Sequence, residues 1–188
     1  HCGRPPAFVR AARGRPAGCG RVSAVRHTVQ VPMRWSDMDA YGHVNNVVFL
    51  AYFEMARVDL FFDRASLEEQ TGLRQGTVVA AHDIRYRQPV VYSRHPLDVQ
   101  IWVSDIRAAA FTCHYELFDH GRRAVTGSTL LVPFDFGIDR PRRLTPDEKA
   151  FLARYADEPP ADAPPAVGQQ ADAPPADAPP AVGQQAGA

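Results

Sequence analysis

The chain has 188 residues, and its 21 basic and 21 acidic residues give a formal net charge of zero. This length suits a single domain with extensions, and the charge balance gives no support for nucleic-acid binding across the molecule. The three cysteines have no CxxC spacing, which argues against a zinc site and a disulfide framework. No apolar segment is long enough for a signal-peptide core or a membrane span, so we expect a cytoplasmic protein without a membrane partner.

Both ends of the chain have compositions that do not support a packed core. Residues 1–26 hold six arginines and no acidic residue, and residues 158–188 repeat the units A-D-A-P-P and A-V-G-Q-Q. Segments rich in Pro, Ala and Gly with few large apolar residues bury too little surface to fold. We therefore predict a disordered basic extension at 1–26, one folded domain at 27–157 and a disordered repeat tail at 158–188.

The first predicted elements of this domain are a strand and a long helix. Apolar and polar residues alternate over residues 28–35, which predicts a half-buried strand with Trp35 on its apolar face. Pro32 indicates an edge position or a bulge in this strand. After a polar turn, a helix begins at about Val47 and is apolar nearly all round in its first turns. Such a helix is buried, and its charged residues, beginning with Glu54, favour burial in protein over a membrane span.

Four more strands are predicted at residues 77–87, 97–103, 109–118 and 122–134, where apolar and polar residues alternate. One face of the first of these strands carries Val78, Ala80, His82, Ile84 and Tyr86. The sequence Asp119-His120-Gly121 predicts a hairpin turn, and Gly127 indicates a bulge or a close backbone approach. A short helix over residues 145–155 is expected to begin with Thr145 as N-cap and Glu148 as capping-box acid. One early helix followed by consecutive antiparallel strands predicts an α+β fold.

The polar turn before the long helix is the main candidate for chemistry, and it contains Asp37, Asp39, Gly42, His43, Asn45 and Asn46. Asn45 and Asn46 are predicted N-cap residues, because short side chains accept hydrogen bonds from the first N–H groups of a helix. The helix start offers donors and a partial positive charge that can polarise a carbonyl oxygen, while the Asp39 carboxylate can attack the carbonyl carbon or activate a water. The residue types alone leave a structural interpretation open, in which both aspartates shape the turn and His43 packs at the helix entrance.

The run D-M-D-A-Y-G-H-V-N-N-V-V-F-L-A-Y-F-E-M-A-R, residues 37–57, resembles the signature of hotdog-fold acyl-CoA thioesterases of the 4-hydroxybenzoyl-CoA thioesterase branch. Both have an Asp three residues before a Gly, then a short turn and a buried helix. The run is also similar to plant acyl-ACP thioesterases, which carry an Asn at the position of Tyr41. Phe49 stands where the family often has a Tyr. The looser resemblance extends from about Thr28 to Tyr155.

This resemblance implies a hotdog fold, in which a curled antiparallel sheet wraps around one long central helix. It implies an acyl-CoA thioesterase that works as a homodimer or homotetramer. Its catalytic residues would be Asp39 and His43, with Glu54 as the reserve candidate. Its substrate-binding residues would be Gly42, Val44, Asn45, Asn46, His82, Tyr86 and Arg107. Within this set His82 and Tyr86 would line the acyl pocket, and Arg107 would lie near the coenzyme A nucleotide. No cofactor is implied, and the scattered histidines show no metal-ligand spacing.

Two other functions stay open at this point. A hotdog hydratase or dehydratase needs a His and an acid positioned at the acyl chain, a role that Asp39 and His43 can fill, although the V-N-N run fits thioesterases better. A non-catalytic acyl-binding protein would use Asp39 only as a turn residue. The sequence also leaves open the acyl chain length and the choice between coenzyme A and a carrier protein.

Overall fold

The structure, a computed structural model of the chain, describes residues 25–65, 73 and 75–160. The predicted extensions at 1–26 and 158–188 lie mostly outside these residues. The strands are β1 His27–Val31, β2 Thr77–Tyr86, β3 Leu97–Ser104, β4 Phe111–Asp119, β5 Arg122–Asp135 and β6 Arg140–Pro141. The helices are α1 Val48–Val58, which continues as the π-helical turns Asp59–Arg64, and α2 Pro146–Ala153.

The main sheet has the strand order β1-β3-β4-β5-β2, with antiparallel pairing between all neighbours, and β6 pairs with the end of β5. The sheet curls around α1, which confirms the predicted α+β hotdog fold. Strands β1 and β2 form the two edges of the sheet in the single chain. β1 leads directly into the polar turn. The end of β2 lies beside the helix start, because the Tyr86 hydroxyl donates to the Asn46 carbonyl.

The helix α1 packs its aromatic side against the concave face of the sheet. Phe53 is buried and stacks on Tyr115 of β4, with the ring centroids 4.4 Å apart. A Cβ atom added to Gly127 of β5 would lie 2.6 Å from Cε2 of Phe53, so the close approach predicted at Gly127 is confirmed. The opposite side of the helix is exposed in the single chain, including Met55 and Val58. The expectation of burial all round is therefore met on one side only.

The first strand is shorter than predicted. It ends at Val31, directly before Pro32, and it lies at an edge of the sheet as Pro32 indicated. Trp35, expected on the buried face, is instead 77% exposed in a 3-10 turn at Trp35–Asp37. The reason is local, because the backbone N–H of Arg34 donates to the Asp37 carboxylate at 2.8 Å and turns the chain away from the sheet.

Strand β2 contains a bulge that the alternation did not reveal. Val79 lies opposite Leu131, but Ala81 lies opposite Leu130, so Ala80 is an extra residue. Opposite residues of an antiparallel pair share a face of the sheet. Val79 therefore faces the helix side, where the sequence predicted Val78 and Ala80. His82, Ile84 and Tyr86 keep the predicted face, opposite Thr129, Gly127 and Val125.

Other local predictions are confirmed. The turn between β4 and β5 has positive φ at His120 and Gly121, 47° and 75°, as a tight hairpin requires. Thr145 accepts a hydrogen bond from the Glu148 backbone, and Glu148 accepts one from the Thr145 N–H, which completes the capping box of α2. Within the described residues, no helix has the length and apolar character needed to cross a membrane.

Candidate functional site

The Asp39 carboxylate is held by the turn that follows it. Its Oδ1 accepts hydrogen bonds from the backbone N–H groups of Tyr41, at 2.8 Å, and His43, at 3.2 Å. The Asp39 backbone N–H donates to the His43 carbonyl at 2.8 Å, and the Gly42 N–H donates to the Asp39 carbonyl at 3.2 Å. Gly42 has φ 79°, a conformation that glycine adopts without strain, and it closes this turn. The tight turn predicted at Gly42 is therefore present.

The second carboxylate oxygen of Asp39 has a different environment. In the part of the chain that the structure describes, Oδ2 accepts no hydrogen bond, and the residue is only half-buried. One oxygen thus fixes the orientation of the group, and the other is available to a ligand. A carboxylate fixed in this way can act as a nucleophile or accept a proton without first losing internal hydrogen bonds.

The turn is fixed beside the start of α1. An antiparallel bridge joins Met38 and Val44, and the Asn45 N–H donates to the Asp37 carbonyl at 2.9 Å. Buried Val44 also donates its N–H to the Val90 carbonyl at 2.8 Å. These bonds span the turn and fix the segment that joins the Asp39 carboxylate to the start of the helix.

The helix start differs from the prediction that Asn45 and Asn46 are its N-cap residues. The N-cap position is Val47, which has no side-chain cap. Asn45 lies two residues before Val47. Its Oδ1 accepts a hydrogen bond from the Val47 N–H at 3.2 Å, and its carbonyl accepts one from the Val48 N–H at 3.0 Å. The exposed Asn46 N–H donates to no acceptor among the described residues. This N–H, directly before the N-cap residue Val47, is thus a donor that a ligand can use.

Asp37 is a buried structural residue, 2% exposed. Its carboxylate accepts hydrogen bonds from the Arg34 N–H at 2.8 Å, from Arg34 Nε at 3.0 Å and from the Tyr52 hydroxyl at 2.7 Å. Burial raises the pKa of Asp37, but the hydrogen bonds from Arg34 and Tyr52 outweigh it and hold the pKa below the ordinary 3.8. The sequence reasoning missed Tyr52, whose hydroxyl in a buried helix was the available signal.

His43 meets Asp39 through its backbone. Its N–H and carbonyl both bond to Asp39, whereas its half-buried imidazole has no hydrogen-bond partner within the described residues. The structure therefore does not form an imidazole–carboxylate pair between these two residues. Because the half-buried imidazole is not bonded to Asp39, His43 orients the carboxylate through its backbone alone.

Two predicted substrate-binding residues on β2 lie at different distances from the turn. The Tyr86 hydroxyl donates to the Asn46 carbonyl at 3.0 Å, and its ring meets Phe49 edge to face, so Tyr86 belongs to the helix start. His82 lies four residues away, with Nδ1 at 2.9 Å from the Thr129 hydroxyl. Burial and then the positive charge of Arg57 lower the pKa of His82 below the ordinary 6.5, whereas Glu54 opposes this shift.

Arg107 is not brought to the turn within one chain. β1 pairs with β3 so that Val31 lies opposite Leu97, and the Asp39 turn follows Val31 at that end of the sheet. Arg107 is exposed in the loop after Ser104, at the other end of β3. The eight residues of β3 span roughly 25 Å at ~3.3 Å per residue, so Arg107 and the Asp39 turn lie at opposite ends of this strand.

The described residues contain no group of three or more His, Cys, Asp or Glu side chains that could hold a metal ion.

A family model described as the thioesterase-like superfamily matches residues 33–183, which include the Asp39 turn, α1 and strands β2 to β6. The uncharacterised protein YsmA of Bacillus subtilis (strain 168) is 29% identical over 126 residues, 65% of this chain and 82% of that protein.

Solved structures show the same fold. A thioesterase from Thermus thermophilus, complexed with coenzyme A and Zn, is 28% identical with a TM-score of 0.58, and the match covers 68% of this chain and 93% of that one. A predicted thioesterase from Bacillus stearothermophilus matches with a TM-score of 0.62 at 22% identity, covering 72% of this chain and 100% of that one. At that lower identity, the second likeness concerns the fold alone.

Proposed function

Because the chain belongs to the thioesterase-like superfamily, we propose that it is an acyl-CoA thioesterase, which hydrolyses an acyl-CoA thioester to the free acid and coenzyme A. The observation that carries the proposal is an oriented carboxylate and an available backbone donor, seven residues apart along one hydrogen-bonded turn. Asp39 Oδ2 and the Asn46 N–H have no hydrogen-bond partner in the described part of the chain, and the bonds across the turn fix the segment that joins them.

In this scheme the thioester carbonyl oxygen accepts a hydrogen bond from the Asn46 N–H at the positive end of α1. The carbonyl carbon then becomes more electrophilic, and the negative charge that develops on its oxygen is stabilised. The same donor also serves the tetrahedral intermediate, in which that oxygen carries a full negative charge. Asn45, Gly42 and Val44 hold this donor in place through the turn rather than through contact with the reacting atoms.

Asp39 supplies the second part of the reaction, by one of two routes. As a general base, Oδ2 takes a proton from a water whose oxygen bonds to the carbonyl carbon. The C–S bond then breaks, and the thiolate of coenzyme A receives the proton. As a nucleophile, Oδ2 bonds to the carbonyl carbon and expels the thiolate, and a water hydrolyses the resulting anhydride. In both routes His43 positions Asp39 through its backbone N–H.

The proposed substrate is a coenzyme A ester, and the coenzyme A complex of the Thermus thermophilus relative supports this choice.

We further propose that the protein acts as a homodimer or homotetramer. The edge strand β2 and the exposed apolar residues Met55, Val58 and Phe62 of the helix would be covered by a second copy. Arg107 would then reach coenzyme A only from a partner copy. A stable and active monomer in sedimentation at micromolar concentration would contradict this assembly.

The test is a panel of acyl-CoA esters incubated with the purified chain and a thiol reagent. Release of free coenzyme A from at least one ester, at a rate proportional to enzyme concentration, is the expected result. Hydration of an enoyl-CoA without release of thiol would identify a hydratase instead. Binding of an acyl-CoA with neither reaction would identify an acyl-binding protein, and either outcome would overturn the proposal.

A further inference from the structure

A groove of about 380 Å³ lies between α1 and β2, beyond the Asp39 turn along the helix. Its lining is mainly apolar and includes Phe61, Val79 and Leu131. Val58 and Phe62 also line it, so in the proposed assembly a second copy would border the groove. Among the described residues that line it, Arg57 is the one cation and Glu54 the one carboxylate. An apolar groove that contains a single guanidinium suits a ligand that is itself apolar with one polar or anionic group.

Arg57 is a buried cation without an ion pair in the described part of the chain. It is 8% exposed, and its one hydrogen bond there joins Nη1 to the Tyr115 hydroxyl at 3.1 Å. Tyr115 is fully buried, and burial raises the pKa of its hydroxyl far above the ordinary value, so this partner stays neutral. Glu54 lies one turn earlier on the exposed side of the helix and acts on Arg57 only through its field.

A buried charge without a counter-charge is costly, and an anion placed beside it recovers part of that cost. The guanidinium has further N–H groups besides the one bonded to Tyr115, in a planar arrangement that matches a carboxylate. His82, on the facing strand, bonds to Thr129 and is kept neutral by burial and by Arg57, so it adds polarity without a competing charge. The local chemistry therefore favours a carboxylate ligand at Arg57.

The position of Arg57 relative to the proposed reaction centre sets the size of the ligand. β2 runs beside α1: the Tyr86 hydroxyl donates to the Asn46 carbonyl, and the charge of Arg57 lowers the pKa of His82, four residues before Tyr86. Asn46 and Arg57 are separated by roughly 16 Å along the helix axis at ~1.5 Å per residue. After hydrogen-bond distances are subtracted at both ends, this separation fits an extended acyl group of medium length.

We propose that Arg57 binds the carboxylate at the far end of a medium-chain dicarboxylic acyl group, so that the preferred substrates are mono-thioesters of coenzyme A with dicarboxylic acids. This inference rests on the proposed thioesterase function, because it assumes that the thioester lies at Asp39 and the helix start. Arg57 is a specificity residue in this scheme, since it contacts the end of the substrate away from the reacting carbon.

The experiment compares kcat/KM of the full chain for suberoyl-CoA and sebacoyl-CoA with kcat/KM for octanoyl-CoA and decanoyl-CoA. We expect a preference of at least ~10-fold for the dicarboxylic ester of each matched pair, the size of one charge-assisted contact. Arg57→Gln should remove this preference. The measured quantity is the ratio of kcat/KM for the dicarboxylic ester to kcat/KM for its monocarboxylic partner. A general loss of activity through altered packing lowers both values and cancels from this ratio. Arg140→Gln removes an exposed arginine elsewhere and should leave the ratio unchanged.

Each outcome decides a different point. Equal or lower kcat/KM for the dicarboxylic esters in the unaltered chain, with thioester hydrolysis intact, would overturn the Arg57 assignment and leave the thioesterase proposal standing. Release of no thiol from any ester would overturn the proposed function. In that case calorimetry of sebacoyl-CoA against decanoyl-CoA still tests the anion site, and equal affinities would refute it. This comparison uses the unaltered chain and so does not depend on whether Arg57→Gln folds.

Discussion

The substitution Asp39→Asn separates a catalytic carboxylate from a turn residue. The amide oxygen can accept the same two backbone hydrogen bonds, from Tyr41 and His43, so the shape of the turn should survive. A charged acceptor stabilises such bonds more than a neutral one, typically by about 1 kcal/mol each, and exposure of the group reduces this difference. We therefore expect a loss of unfolding free energy of about 1 kcal/mol or less.

The effect on the reaction should be much larger. An amide at Oδ2's position can neither attack a carbonyl as an anion nor take a proton from water. Loss of one acid–base group costs ~10²-fold or more in rate, which corresponds to at least ~2.7 kcal/mol in activation free energy. The readout is kcat for thiol release, together with acyl-CoA affinity by calorimetry, which should change little because the Asn46 donor remains.

The control is Asp139→Asn, which removes the same charge from an exposed position outside the turn and should leave kcat unchanged. A loss of less than tenfold for Asp39→Asn, in a protein with an unchanged melting curve, would refute the catalytic assignment. The reserve candidate Glu54 lies roughly 12 Å from Asn46 along the helix, at ~1.5 Å per residue, so it is poorly placed to replace Asp39 at the helix start.

Three further predictions concern stability. Asp37→Asn should lower the free energy of unfolding by roughly 2 kcal/mol or more, because it weakens buried hydrogen bonds. The folded pKa of Asp37 is lowered, so the unaltered chain should lose this stabilisation as pH falls below ~3.9, whereas the variant should not. Equal acid unfolding curves for the two proteins would contradict this. Gly127→Ala should cost about 1–3 kcal/mol in thermal unfolding, since the added Cβ would lie 2.6 Å from the buried Phe53 ring; an unchanged melting temperature would show that the contact relaxes. Truncation after residue 160 should leave stability unchanged, whereas truncation after residue 157 should cost ~1 kcal/mol, because the Glu158 carbonyl accepts a hydrogen bond from Trp102 Nε1 at 3.0 Å.

Strands β2 to β5 were predictable because their sequences alternate between apolar and polar residues, although the polar face of β4 is buried as well. The hairpin at His120 and Gly121 was predictable from its turn residues. The prediction fails at Trp35, because the Arg34 N–H donates to the Asp37 carboxylate and turns the chain away from the sheet. The Tyr52 hydroxyl anchors the same carboxylate, and alternation of apolar and polar residues reveals neither bond. The bulge at Ala80 was invisible because the alanines around it give no signal for either face.

The candidate site was predictable to a different degree. The choice of Asp39 over Asp37 came from the family resemblance, and its catalytic role stays a prediction, as do the oligomer and the cytoplasmic location. The structure adds what the sequence lacked: Asp37 is buried and fully bonded, whereas Asp39 keeps one oxygen for a ligand. Asn45 was correctly placed near the helix start, but it is not the N-cap. It lies two residues before the cap residue Val47 and accepts hydrogen bonds from the N–H groups of Val47 and Val48.

The hydrogen bond between Asp37 and Tyr52 divides the turn into two parts that differ in how freely their sequence can change. The base of the turn is tied to the body of the helix, and Asp39 is held by backbone groups alone. The tip, Ala40 and Tyr41, points into solvent. Replacing the tip side chains leaves every one of those bonds in place, so the surface beside Asp39 can change in sequence without displacing the carboxylate. A library randomised at Ala40 and Tyr41 would therefore test how these side chains affect substrate binding while the fold stays stable.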